Sequence, residues 1–422
     1  MKKQKICLLL CLIICLCTGC VRTDKISNEK KEEPIVLTVL AGQSTSDAGI
    51  EDMIDEVIAE KFPNVKLEWD CVDWGEKFDS QMYARFAAGE VPDIMIGKAQ
   101  DIYAYAASGN LAMIPDSCYD KISKQALDAV TLNGVVYGLP YNALYQGVLY
   151  NKDIFKKYQI EPPMNIKDLE ETVATLEKKH ITPFASHFQE NWQIGNMTMQ
   201  FFMNDLFMND PYWGDLFRAK KESFSDNTTV LHCLKQNEYI LNHSWSDALV
   251  LDQYECDKRF IQGEAAMYLT GSWSLQSISQ YGSRGEYGIF PYPNQEGNAA
   301  LIHETNLTFM KSITTEYGEI INQIFEELIT NKKLIQNILE FTQTYPTIKG
   351  VSIMYKNGID QDIKAYEDGK QVMEVTIGNR QLVWTFQKDI AAKQQEWLCG
   401  NLGLQQVLTY ADKHRGESSN CE

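Results

Sequence analysis

Apolar positions along the chain fall into runs of two periods that alternate. Ile35-Val-Leu-Thr-Val-Leu-Ala41 is a near-continuous apolar run of strand length, followed by the polar loop Gly42-Gln-Ser-Thr-Ser-Asp47. Ile50, Met53, Ile54, Val57, Ile58 and Phe62 are then spaced by three and four, the stripe of a helix packed on one face. Phe62-Pro63-Asn64 stops it, and Val65 to Asp70 alternates as a second strand. A helix over Glu76–Ala88 ends at Gly89, and Pro92 opens a strand over Asp93–Ile96. Strand, helix, strand, helix, strand predicts a mostly parallel sheet with right-handed crossovers.

Leu139-Pro140 leads into Tyr141–Gln146, the expected first crossing between two lobes. A helix over Asp153–Tyr158 precedes Pro162-Pro163. Asn165 is placed to cap a helix with Ile166, Leu169, Val173 and Leu176 on one face. A largely helical middle reaches about Asp257. Tyr287–Pro293 and Leu301–Met310 read as short strands, expected in the first lobe. Helices from about Glu316 to Thr344, and a C-terminal helical region to about Leu408, are expected to close the second. No internal repeat is visible.

The densest stretch is Phe260–Trp273, F-I-Q-G-E-A-A-M-Y-L-T-G-S-W. Gly263 suits the residue just after a helix, where positive φ is needed. Ala265–Leu269 is a buried strand, Gly271-Ser272 breaks it, and Trp273 follows at its carboxyl end, where open α/β sheets bind ligands. A core tryptophan is the bland alternative.

The pattern F-x-x-G-x-A-A-M-x-x-x-G-x-W resembles the signature of the family-1 extracellular solute-binding proteins of ABC sugar transporters, similar to maltose-binding protein. Val91-Pro-Asp-Ile-Met-Ile-Gly97, Gly109-Asn-Leu-Ala-Met-Ile114, Asn133–Pro140, Val148–Phe155 and Tyr345–Val351 resemble further segments of that family in order and spacing, so the likeness runs from about Ile35 to about Val351. It implies an α/β, two-lobed periplasmic-binding-protein-like fold of type II. Each lobe is then a mostly parallel sheet flanked by helices, with the ligand cleft between them. On this reading residues 35–142 plus 273–309 form the N-terminal lobe, and 143–272 plus 310–422 the C-terminal lobe. The implied function is that of the substrate-binding subunit of an ABC importer. It would capture a sugar or oligosaccharide by hinge closure and hand it to the transmembrane permease subunits as a monomer, with no cofactor and no metal.

Bulk properties agree. A chain of 422 residues exceeds one simple core. Its formal charge of −18 disfavours nucleic acid and adsorption to anionic membranes through basic patches. Lys2, Lys3 and Lys5 precede an apolar segment, Ile6–Cys17, too short to span a bilayer. Thr18-Gly19-Cys20 then looks like the end of a bacterial lipobox. Residues 1–20 are accordingly a lipoprotein signal peptide, Cys20 the lipidation site and 21–34 a disordered tether, which anchors the protein to the outer face of the cell membrane. A plain secretory signal is the alternative. Of eleven cysteines, Cys71, Cys118, Cys233, Cys256, Cys399 and Cys421 lie beyond that segment, with neither metal spacing nor a disulfide framework.

A sugar site needs planar aromatics beside hydroxyl-bonding groups. Candidates follow strand ends or crossings: Gln43 and Ser44; Asp70, Asp73 and Trp74; Tyr141, Asn142 and Tyr145, where hinge packing competes; Glu190, Asn191 and Trp192; Trp273; Glu304 and Asn306; and Tyr345. Trp384 could also reach the cleft, with a core role the stronger reading. Two other functions stay open: a secreted carbohydrate-active enzyme, since Asp70, Asp73, Glu190 and Glu304 supply acids, and a binding protein that presents its ligand to a membrane sensor kinase. No nucleophile motif and no P-loop occurs.

Overall fold

The computed structural model describes residues 34–418, apart from 44, 46–48, 75, 276, 278–284, 354–357 and 376–381. Cys20, the tether to residue 33, Ser44 and Cys421 lie outside the described residues.

Two sheets organise the chain. In the first, Val65–Val72, Ile35–Gly42 and Ile94–Lys98 are parallel neighbours, and Leu307–Ser312 adds antiparallel beside Ile94–Lys98. The helix Ile50–Lys61 buries Ile50, Ile54 and Ile58 against this sheet, as its stripe predicts. The second sheet is built on the long, fully buried strand Asn142–Asn151. Ala265–Gly271, Tyr287–Phe290, Leu301–Thr305 and Tyr345–Pro346 all pair with it antiparallel. Thr182–Ala185 and Val372–Val375 then join parallel to Ala265–Gly271 and Leu301–Thr305. This sheet is therefore mixed. Asn142–Asn151 carries the chain away from the first lobe, and strands that bring it back must run the other way.

That direction places the ligand end. In the second sheet Thr182–Ala185, Ala265–Gly271, Leu301–Thr305 and Val372–Val375 all point their carboxyl ends at the first lobe. In the first sheet the three parallel strands share one carboxyl end.

The lobe boundaries differ from the sequence expectation. Tyr287–Phe290 and Leu301–Thr305 belong to the second sheet, and the chain returns to the first lobe at Asn306, not near Trp273. The helices Gly318–Thr330 and Lys332–Thr342 belong to the first lobe, where Ile321, Ile324, Phe325, Leu328, Leu334, Ile335 and Ile338 are buried in its core. Burial stabilises each such side chain by roughly 1.5–3 kcal/mol, so the attachment is strong. An amphipathic stripe shows that a helix is packed, but not on which sheet.

Three crossings meet at one residue. Asn142 Oδ1 accepts the Leu307 N–H at 2.8 Å, its Nδ2 donates to Thr344 Oγ1 at 3.0 Å, and its carbonyl accepts the Asn306 N–H at 2.9 Å. Thr347 Oγ1 donates to the Pro140 carbonyl at 2.9 Å, closing the third crossing onto the first. Asn142 is buried, so every one of these bonds is made away from water.

Candidate functional site

Carboxyl strand ends from both lobes enclose a cavity of about 1140 Å³, open mouth included. The first lobe contributes Asp79 and Tyr83 from the helix Glu76–Ala88, then Gln100, Asp101 and Tyr103 from the turn and helix after Ile94–Lys98. The second contributes Gln146 from its long strand, Glu304 at the end of Leu301–Thr305, and Trp384 and Lys388 from the start of Trp384–Leu398.

Among the described residues, side chains bridge the cleft at Lys388 and at Gln100. Lys388 Nζ lies 2.5 Å from Asp79 Oδ2. The Gln100 amide, in the orientation that satisfies both its ends, donates to Glu304 Oε1 at 3.1 Å and accepts the Trp384 indole N–H at 3.1 Å. Glu304 Oε2 accepts from Gln146 Nε2 at 2.5 Å. Burial pushes the Asp101 carboxyl up to about 7, with Asp79 adding to it and Lys98 and Lys388 opposing. Burial likewise raises Glu304, against Lys98 and the Gln146 bond. Uncharged aromatic faces, amides and carboxylates are the groups that stack on a ring and bond its hydroxyls.

Of the residues singled out in the sequence, Glu304 lines this cavity. Trp192 and Trp273 sit beside it, because Gly271 pairs with Gln146. Their rings meet edge to face at 6.3 Å. The Trp273 ring lies so close over Gly271 that a Cβ there would fall 2.0 Å from it. Its indole N–H is buried with no partner among the described residues. Asn191 opens the helix Asn191–Phe201 beside them. Glu190 Oε2 lies 3.2 Å from His187 Nδ1 and accepts the Gln253 N–H at 3.3 Å; the His187 contact holds its carboxyl below the usual range. In the first lobe Gln43 follows Ile35–Gly42. Trp74 packs on Gly42 and on Phe78 at 4.6 Å, with the Lys98 ammonium 5.4 Å over its ring.

The remaining candidates serve the frame. Tyr141 is fully buried in the first-lobe core, its hydroxyl donating to the Leu328 carbonyl at 3.2 Å. Asn142 and Asn306 form the hinge described above. Tyr145 and Tyr345 are buried edge to face at 4.8 Å, and their hydroxyls donate to Glu367 and, at 2.8 Å, to Asp360. Asp70 pairs with Arg85, and Asp73 with Lys77 at 2.6 Å, both on the surface. Trp384, read as core, is half-buried on the cavity wall. Gln100 and Asp101 were legible by the same rule that picked Gln43 and Trp74, since they follow the third parallel strand. Lys388 and Asp79 carry no sequence signal beyond helical spacing.

The sequence profile of the bacterial extracellular solute-binding proteins matches residues 41–318. The chain is 22 % identical over 344 residues to the multiple sugar-binding protein of Streptococcus mutans, across 77 % of this chain and 78 % of that one. It is 24 % identical over 228 residues to the melibiose/raffinose/stachyose-binding protein MelE of Bacillus subtilis, 52 % of each. In fold it is similar to a chitin oligosaccharide binding protein (TM-score 0.78, 20 % identity, covering 92 % of this chain and 99 % of that one). RafE in complex with raffinose is similar as well (TM-score 0.71, 17 % identity, 92 % and 100 %). With its profile matched over more than half its length and its two lobes closing on one cleft, the chain belongs to the bacterial extracellular solute-binding proteins.

Proposed function

We propose that this chain captures a sugar or oligosaccharide between its lobes and delivers it to an ABC permease, without making or breaking a bond. The observation that carries this reading is the cavity at the carboxyl strand ends, where Tyr83, Tyr103 and Trp384 offer ring faces and Gln100, Gln146, Asp101 and Glu304 offer bonding groups. The names of the relatives, which bind melibiose, raffinose, stachyose or chitin oligosaccharides, support the same class. Trp273, beside Gln146 through Gly271, and its neighbour Trp192 would extend the stacking surface for a longer chain. Ligand contacts to both lobes favour the closed arrangement over the open one, by as much as the affinities for the two differ. The protein works as a monomer, held to the outer face of the membrane through lipid on Cys20. Thermal unfolding against a panel of mono- and oligosaccharides tests the reading. A specific sugar raises the midpoint by several degrees at saturation and is recovered intact. A sugar recovered cleaved moves the protein to the enzymes, and no response to any sugar sinks the sugar assignment.

A further inference from the structure

The cavity walls are unequally charged. Asp79, Asp101 and Glu304 face the space against one lysine, Lys388, which Asp79 already engages. Glu304 is held by the neutral amides of Gln146 and Gln100, and Asp101 by the Lys98 backbone N–H. Neither carboxylate is ion-paired among the described residues. The other nearby cations make their direct contacts elsewhere: the Lys98 ammonium lies over the Trp74 ring, and His303 Nδ1 sits 2.6 Å from Glu374. Two carboxyl groups thus face the cleft without a direct ion pair among the described residues, with Lys98 acting on both and Lys388 on Asp101 only from a distance. Burying an uncompensated carboxylate is costly, and such groups hold protons instead. The raised Asp101 and Glu304 agree with that.

A sugar hydroxyl can donate to such a carboxylate but leaves its charge in place. An ammonium brings three donors and the missing charge, and charge-assisted bonds are about twice as strong as neutral ones. A uronate or phosphate sugar would add like charge at close range. We propose that the cleft selects a sugar bearing a free ammonium group, which Asp101 and Glu304 neutralise. This rests on the sugar reading of the cleft and narrows it.

The test is a set of binding isotherms on the full mature protein at about pH 7, where the sugar amines carry charge and Asp101 is substantially ionised. Matched pairs are compared in the gluco, galacto and manno series, as single sugars and short oligomers. Within a pair only an ammonium replaces a hydroxyl, and the N-acetylated form and spermidine are added. The expected result is an amino member bound at least roughly tenfold more tightly than its hydroxyl and N-acetyl partners, the scale of one charge-assisted contact. Asp101→Asn and Glu304→Gln should each shrink that ratio severalfold. Because the ratio is first read on the unaltered protein, misfolding of a variant does not blunt the test. Equal or tighter binding of the neutral member in every pair that binds overturns the proposal and leaves the sugar function standing. Binding of a neutral oligosaccharide with no response to any amino sugar does the same. Spermidine bound with no sugar bound overturns both.

Discussion

The side-chain oxygen of Asn142 accepts the backbone N–H of Leu307 at 2.8 Å, joining the strand that leaves the first lobe to the strand that returns to it. The same amide holds Thr344 of the third crossing, so one buried side chain sets the spacing of all three hinge strands. Replacing Asn142 with Leu strands the buried Leu307 N–H and removes the anchor on Thr344, which should lower stability by about 2–4 kcal/mol. Chemical denaturation reads this directly. A change under about 0.5 kcal/mol would mean the hinge is held by its backbone pairing alone.

Gly271 has no Cβ because the Trp273 ring occupies that space. Gly271→Ala should leave the strand paired with Gln146 and drive the indole outward, breaking its edge contact with Trp192. Tryptophan emission should shift, and sugar affinity should fall roughly tenfold, the value of one lost stacking face. Unchanged affinity with shifted emission would remove Trp273 from the binding surface.

Asp101 gives a pH dependence of definite sign. Its carboxyl is raised in the folded protein, to about 7 from 3.8, by burial first and then by Asp79. The folded state therefore favours the protonated form. The resulting penalty is absent below about pH 4, grows as pH rises through the unfolded value and is complete above about 7. Asp101→Asn should accordingly stabilise the ligand-free protein at pH 8, by on the order of 1–3 kcal/mol, and should do nothing at pH 4. Unfolding midpoints of both proteins across that range check it. An equal gap at both ends would assign the effect to packing rather than charge.

Much of this architecture is written locally. The stripe Ile50–Ile58, the Asn165 cap, which accepts the Asp168 N–H at 3.0 Å, and the positive φ of 81° at Gly263 each follow from residues within a turn or two. Lobe membership does not. Ile321, Ile324 and Phe325 would look the same on either sheet, and only the pairing of Leu307–Ser312 with Ile94–Lys98 decides it. The site divides in the same way. Trp273 and Trp192 could be placed near the cleft from strand ends, and Glu304 from a crossing. For Trp384 the sequence could not decide between core and cleft, because its place depends on a helix from far along the chain packing beside Asn191–Phe201. Tyr141, Tyr145 and Tyr345 carried the right chemistry at the right crossings, yet their hydroxyls are committed inward.

Anchoring is tested by Cys20→Ser. The variant should appear in the soluble fraction, whereas the unaltered protein stays with membranes and partitions into detergent. Retention of the variant on membranes would contradict a lipid on that residue.

The claim that a sugar sits between the lobes is tested most directly at Trp384, whose indole N–H reaches Gln100 across the cleft. The measurement is the dissociation constant of the best-stabilising sugar for Trp384→Ala, beside the unfolding midpoint of each ligand-free protein. Removing one ring face and one interlobe bond should weaken binding by roughly 2–4 kcal/mol, about 30- to 1000-fold, while the ligand-free midpoint moves by only a few degrees. Affinity within twofold of the unaltered protein would place the sugar elsewhere.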